Sequence, residues 1–311
     1  MQANSYFRIV YRRQPADAHK GRLDTCLPRC SVSRSAPLLR YPPGRTRTHL
    51  RDTSLARVTF WAAGILLFLL ALPLTAQAPR KTLRVAAAAD LEPVLPVLAR
   101  QYEQQQGVHL VVRYASSATL AEQIQNGSPD DVFLSANAGY ADRLVAAGRS
   151  AEPAAIPYAR GVLVLWARRD AGLPQPLTLD CLRSDEVHRV AIANPAHAPY
   201  GRAASEAIGH LGLRDDLTAK LVTAENIAQA AQYVHSGNAQ LGFISLTTAS
   251  TPQFRELGSY VRVPETLYAP LLQSAVVLRG ANEAEAKEFL RWLTSAPVQQ
   301  QLPALGLHPV S

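Results

Sequence analysis

From Lys81 onward the chain alternates short apolar runs with segments whose apolar positions recur every three or four residues. Residues 83–89 (LRVAAAA) predict a buried strand, and Asp90 stands where a helix N-cap is expected. A helix over residues 94–106 follows, closed by Gly107; Pro93 suits a first turn, whereas Pro96 falls a turn too late to be free of cost. Residues 108–112 predict the next strand, which hands over at Ser116 and Ser117 to a helix with Leu120 and Ile124 one turn apart. Thr119 and Glu122 have capping-box spacing, and Gly127 is placed to end that helix. Residues 130–136 (DDVFLSA) predict a third strand, and residues 140–147 a helix. Repeated strand-helix units of this size imply a parallel, doubly wound sheet.

A second set begins at residues 161–167 (GVLVLWA), six apolar residues after a glycine, which predict the strand that carries the chain out of the first lobe. Residues 189–194 (RVAIAN) predict a strand, PAHAPYG a turn, and residues 202–211 and 215–221 helices. Another helix follows Asn226, then a strand over residues 239–245 (AQLGFIS). Residues 271–278 (LLQSAVVL) predict a return strand, and the C-terminal helices bury Phe289, Leu290, Trp292 and Leu293. At 311 residues and 48% apolar composition the chain can fill two medium cores.

The net charge of +8 points to nucleic acid only until its distribution is read. Residues 1–60 hold 12 Lys+Arg against 3 Asp+Glu, whereas residues 61–311 hold 20 against 21. The folded part is therefore near neutral, with no basic face to follow phosphates. Residues 58–72 form an uncharged apolar stretch behind Arg51 and Arg57, and Pro73 and LTAQA follow it, so residues 58–78 have the pattern of a secretory signal peptide and its cleavage region. The stretch is short for a span of roughly 20 residues, so cleavage after Ala76 is expected and an uncleaved anchor is the alternative. Residues 1–57, rich in Arg, Ser and Pro, read as a disordered basic extension without function, or as sequence ahead of a start between about Leu50 and Val58. Only Cys181 lies beyond the signal, which excludes an internal disulfide and a thiolate metal site there.

Four turns carry small or polar residues where helix N-termini collect ligands in such sheets: Ala89 and Asp90; Ser116 and Ser117; Pro199 and Tyr200; Asn226 and Ile227. Asn226 and Gln229 echo the capping box and leave the N–H of Ile227 at a helix start. Two turns fall in each lobe, so the lobes could close on one ligand. The bland readings make Asp90 an N-cap pointing away from the cleft, His197 a loop residue, and Tyr114, Tyr140, Tyr158 and Tyr233 packing residues rather than ferric-iron ligands. No G-x-S-x-G elbow, H-E-x-x-H pair or glycine-rich phosphate loop occurs.

Across residues 82–309 the chain resembles the periplasmic molybdate-binding proteins of ABC importers. The resemblance rests on VAAAADL (85–91), YASSATLAEQI (114–124), DVFLSA (131–136), GVLVLWA, AIANPAHAPYGRAASEAI (191–208), AENIAQA (224–230) and AQLGFIS. It implies an α/β, type II periplasmic binding protein fold: two doubly wound lobes joined by crossing strands, the first from residues 81–160 and 267–311, the second from residues 161–266. It also implies an exported, non-enzymatic, monomeric protein without a cofactor, which takes molybdate or tungstate to an ABC permease. Carried over by motif, the oxyanion would be held by Ala89, Asp90, Ser117, Tyr200 and Ile227, with Ser117 and Tyr200 offering hydroxyls and Asp90 its backbone. Many members have Ser at the position of Asp90 and Tyr at the position of Ser245. A pocket of donors alone selects fully deprotonated oxyanions. Sulfate, phosphate and ferric iron are the rival ligands, and an exported hydrolase using Ser117 and His197 is the rival from another class.

Overall fold

The computed structural model describes residues 81–280 and 282–310. The extension and the signal-like stretch, residues 1–78, lie outside the described residues, and among the latter no helix is long and apolar enough to cross a membrane. Two five-stranded sheets organise the fold. In the first, β1 (Thr82–Ala88) lies parallel to β2 (His109–Ala115) and β3 (Val132–Ser135). Its remaining strands are β4 (Ile156–Gly161) and β10 (Leu271–Val277), and β10 runs antiparallel to both β3 and β4. The spatial order is β2-β1-β3-β10-β4.

The second sheet repeats the plan in the order β7-β6-β8-β5-β9. There β6 (Val190–Ala193) lies parallel to β7 (Leu221–Ala224) and β8 (Leu241–Ser245). Strand β5 (Leu163–Arg168) is antiparallel to β8 and to β9 (Gly258–Arg262). Only Val162 separates β4 from β5, so one extended segment passes from sheet to sheet, and β10 brings the chain back. Each sheet is thus mixed, because the strands that cross between lobes enter it against the direction of the others.

Helices cover both faces: α1 (Leu95–Gln106), α2 (Ser117–Gln125), α3 (Ala138–Ala146) and α9 (Glu283–Leu293) on the first sheet. The helices α4 (Pro199–His210), α5 (Arg214–Thr218), α6 (Ile227–His235), α7 (Leu246–Ala249) and α8 (Pro252–Leu257) belong with the second, and α10 (Ala296–Gln299) follows α9. Double coverage explains the unbroken apolar run at β5. Leu163, Leu165 and Ala167 face one core, while Val162, Val164 and Trp166 face another. Likewise Val85 and Ala87 pack with Phe289 and Leu290, and Ala86 packs with Phe133 and Leu144 on the opposite face. The single cysteine of the described residues, Cys181, is buried and free.

Several local expectations are corrected. Helix α1 starts at Leu95, which places Pro96 in its first turn, where a missing N–H costs nothing. Helix α2 is capped by Ser116, not Thr119, because the Ser116 side chain reaches the N–H of Thr119 at 3.3 Å. Leu221 opens a strand instead of closing a helix: β7 is a half-exposed edge strand of four residues, too short to show a period. Strands β4 and β9 were absent from the sequence reading for the same reason, since part of each is exposed.

Candidate functional site

Strands β1 and β2 end in register, Ala88 opposite Ala115, so the turns that follow them sit side by side. After β1 the chain makes a 3-10 turn, Ala89–Leu91, whose first N–H groups, on Ala89 and Asp90, have no acceptor within the turn. After β2, Ser116 caps α2 and holds Thr119 through both its N–H and its hydroxyl, 2.7 Å away. Ser117 opens the helix, wholly buried, and its Oγ accepts the N–H of Ala136 at 3.0 Å, which leaves its own O–H to donate elsewhere. In the second lobe Pro199 opens α4, and since Pro has no N–H, Tyr200 carries the first donor of that helix. Asn226 caps α6 by accepting from Gln229 N at 3.0 Å, and Gln229 turns back to take the N–H of Glu225 at 2.6 Å. That leaves Ile227 N–H at the helix start, without an intrahelical acceptor.

These four turns meet. Ala88, Ala89 and Ala136 from the first lobe share one apolar cluster with Ala198, Tyr200, Ala224 and Ile227 from the second. Ala118 N donates to His197 O at 3.2 Å, Thr247 Oγ1 to Asp90 O at 2.6 Å, and Tyr200 Oη to Asp90 Oδ2 at 3.1 Å. Ala89, Asp90, Ser117, Tyr200 and Ile227 are all at most 4% exposed, so the lobes are closed over them. Among the described residues, no Lys, Arg or His side chain is hydrogen-bonded to any of the five. The helix ends and hydroxyls provide a positive lining without a cation.

Two glycines shape the site, one within the second lobe and one between the lobes. A Cβ on Gly201 would lie 2.2 Å from Ala193 O, so only glycine lets the start of α4 rest on the end of β6. A Cβ on Gly161 would lie 2.2 Å from Tyr200 Oη, so the crossing strand needs glycine where the Tyr200 ring reaches over it to Asp90.

Asp90 is not a helix cap. It lies inside the 3-10 turn, and its carboxyl is turned inward, where Oδ2 accepts from Tyr200 and, at 2.5 Å, from Gln273 Nε2. Oδ1 is buried with no partner among the described residues, as is Gln273 Oε1. Burial without a neighbouring cation pushes the Asp90 carboxyl up to about 7, against the pull of its hydrogen bonds. Burial and the Asp90 charge also raise the phenols of Tyr200 and Tyr158 well above their usual value, so both stay protonated donors. Tyr200 spends its hydroxyl on Asp90; what it leaves for a ligand is its backbone N–H.

Gln273 and Thr247 were missed from the sequence. The signal for Gln273 was a polar residue inside the apolar run of β10, where it is fully buried. Ser245 caps α7 through Thr248 N and lies 2.7 Å from Thr247 Oγ1. His197 offers only its carbonyl to α2; its exposed side chain lines an open surface pocket of about 610 Å³ with Tyr140, Arg143 and Arg202. Exposed His197 and buried Ser117 thus form no nucleophile-base pair. The tyrosines are dispersed: Tyr158 donates to Ser135 O at 3.4 Å, Tyr140 accepts from Arg202, and Tyr114 and Tyr233 pack beside separate cores.

The family model of bacterial extracellular solute-binding proteins matches residues 83–307. The molybdate-binding protein ModA of Azotobacter vinelandii is 33% identical over 224 residues, 72% of this chain and 88% of that protein. The ModA of Rhodobacter capsulatus is 35% identical over 209 residues, 67% of this chain and 81% of its own length. The solved structure of the Azotobacter vinelandii periplasmic molybdate-binding protein superposes with a TM-score of 0.69 at 32% identity, covering 74% of this chain and all of that one. Two mixed sheets in two lobes joined by crossing strands agree with that architecture, and the chain belongs to the bacterial extracellular solute-binding protein family.

Proposed function

We propose that this protein captures molybdate or tungstate between its lobes in the periplasm and delivers it, as a monomer, to the permease of an ABC importer. The observation that carries the reading is the convergence of four donor-bearing turns on one buried spot that, among the described residues, no Lys, Arg or His side chain approaches by hydrogen bond. A tetrahedral dianion loses its hydration shell there and receives N–H and O–H donors from both lobes, which favours the closed form in proportion to the contacts that bridge them. The donors assigned to it are the N–H groups of Ala89, Asp90, Tyr200 and Ile227 and the hydroxyl of Ser117. The named relatives support the choice of molybdate over other tetrahedral anions. The lobes are taken as residues 81–160 with 267–311, and residues 161–266.

Calorimetry and thermal-shift measurements with molybdate, tungstate, sulfate, phosphate and ferric iron, beside a screen for ester and phosphate hydrolysis, test this. Tight binding of molybdate and tungstate, with sulfate and phosphate weaker by at least about tenfold, is the expected result. Preference for sulfate, phosphate or ferric iron, or turnover without oxyanion binding, would overturn it.

A further inference from the structure

We propose that Asp90 stands in the oxyanion site as a neutral acid, its proton held between Oδ2 and Gln273, so that the protein takes up a proton with each oxyanion it binds at alkaline pH. The proposal rests on the oxyanion reading and adds a third component, the proton, to the complex.

The geometry comes first. Asp90 is 1% exposed, its Oδ2 lies 2.5 Å from the Gln273 amide and 3.1 Å from Tyr200 Oη, and its Oδ1 has no partner among the described residues. The two ends of a glutamine amide are exchangeable in such an assignment. With the amide turned, an Asp90 O–H donates to Gln273 Oε1. An ionised Asp90 would instead bury a charge with Oδ1 unpartnered and no cation to offset it. The groups that face it from each packed element are neutral: Tyr200 from α4, Tyr158 from β4, Gln273 from β10 and Thr247 from α7. The raised carboxyl, at about 7, agrees with this.

The ligand then decides the rest. Asp90's own N–H belongs to the turn assigned to the anion, so its carboxylate and a dianion would be near neighbours. At roughly 6 Å and an effective dielectric of about 20, that repulsion amounts to about four decades in affinity. Binding therefore lifts the carboxyl further, and a solvent proton enters wherever the free protein had lost it. The sign follows from linkage. Below about pH 7 Asp90 is already neutral in the free protein and no uptake occurs. Above it, each pH unit weakens binding by up to about tenfold until the complex itself titrates.

The test is calorimetry of molybdate and, separately, sulfate binding to the full chain from about pH 6.5 to 9.5, in buffers of different ionisation enthalpy. Wild-type protein is expected to take up close to one proton per molybdate near pH 8.5. Asp90→Asn should lose both the uptake and the slope, and Glu92→Gln, at the exposed carboxyl two residues along, should keep both. A wild-type affinity that is flat over this range, or an uptake that survives in Asp90→Asn, overturns the proposal. If neither anion binds, the oxyanion reading falls, and unliganded protein decides the acid by urea unfolding against pH. A carboxyl raised from 3.8 to about 7 makes wild-type stability fall as pH rises from about 4 to 7, by up to about three decades in the unfolding constant. Asp90→Asn should lack that fall; an identical profile in both proteins overturns the neutral acid.

Discussion

The turns after β1 and β2 occupy equivalent places, side by side at the carboxyl ends of two paired parallel strands, yet they are built in opposite ways. At Ser116-Ser117 the side-chain bonds that shape the turn are short in sequence: the cap reaches Thr119, three residues on, and Ser117 Oγ reaches Ala136, 19 residues on, while the next N–H, of Ala118, meets His197 O in the other lobe. At Ala89-Asp90 the shaping partners are Tyr200 and Gln273, 110 and 183 residues away, and Thr247, 157 away. The first turn presents neutral donors that its own segment prepares. The second holds a buried acid that is tolerable only because both lobes and the return strand close around it. One turn is therefore a preformed half-site, whereas the other is completed by closure.

The change that should break the second turn most severely lies in neither turn. Gly161→Ala places a methyl where the Tyr200 hydroxyl sits, 2.9 Å from its ring carbon Cζ and 3.1 Å from Gln273 Nε2. Tyr200 must retreat from Asp90, and because the ring belongs to the second lobe, the strain falls mainly on the closed form. Overpacking of this kind costs about 1–3 kcal/mol, so molybdate affinity should fall by up to about two decades. Small-angle scattering of the unliganded variant should show a larger radius of gyration than wild type. An unchanged affinity and radius would mean that the Tyr200-Asp90 contact does not govern closure.

The same contrast explains what could be read from the chain. Ser117 was legible because strand end, small hydroxyl residues and the Leu120-Ile124 helical face lie within ten residues. The PYG turn was legible through resemblance, and its physical reason, the contact of Gly201 with the Ala193 carbonyl, emerges only in three dimensions. Asp90 was read as a local cap because capping is what Asp does before a helix when nothing distant competes. Its real partners lie on β10 and α4, and no local pattern announces them. The fold's alternation was legible wherever both faces of a strand are covered. Strands β4, β7 and β9 escaped because their sequences, IPYARG, LVTA and GSYVR, hold no apolar run longer than two residues.

Within the preformed half-site, Ser117→Ala should have a twofold effect. The hydroxyl proposed to donate to the anion is lost, worth about 1.5–3 kcal/mol to a charged acceptor, or roughly one to two decades in affinity. Ala136 N–H also loses its acceptor in a fully buried place, which should lower stability without ligand by about 1–3 kcal/mol. Denaturant unfolding and calorimetry on the same variant separate the two; an affinity loss without a stability loss would show that Ala136 finds another acceptor.

Ser116→Ala is the smaller and more discriminating change, because the two serines are neighbours with opposite duties. The Ser116 Oγ accepts the Thr119 N–H at 3.3 Å and lies 2.7 Å from Thr119 Oγ1, and with its own O–H turned to Oγ1 none of it is left for an anion. Removing it should cost about 1 kcal/mol of stability, the usual value of an N-cap. The first N–H of α2 is carried by Ser117, and the helix is held in place by Leu120, Ala121 and Ile124 packing on the sheet, so the half-site should keep its shape. Molybdate affinity should therefore change by less than about threefold, well below the loss expected for Ser117→Ala, where a charged acceptor loses its donor. Measured by urea unfolding and titration calorimetry, a loss of affinity as large as that of Ser117→Ala would show that the cap itself faces the ligand. The anion would then sit one residue earlier in the turn, in line with the Ala88-Ala115 pair rather than with Asp90.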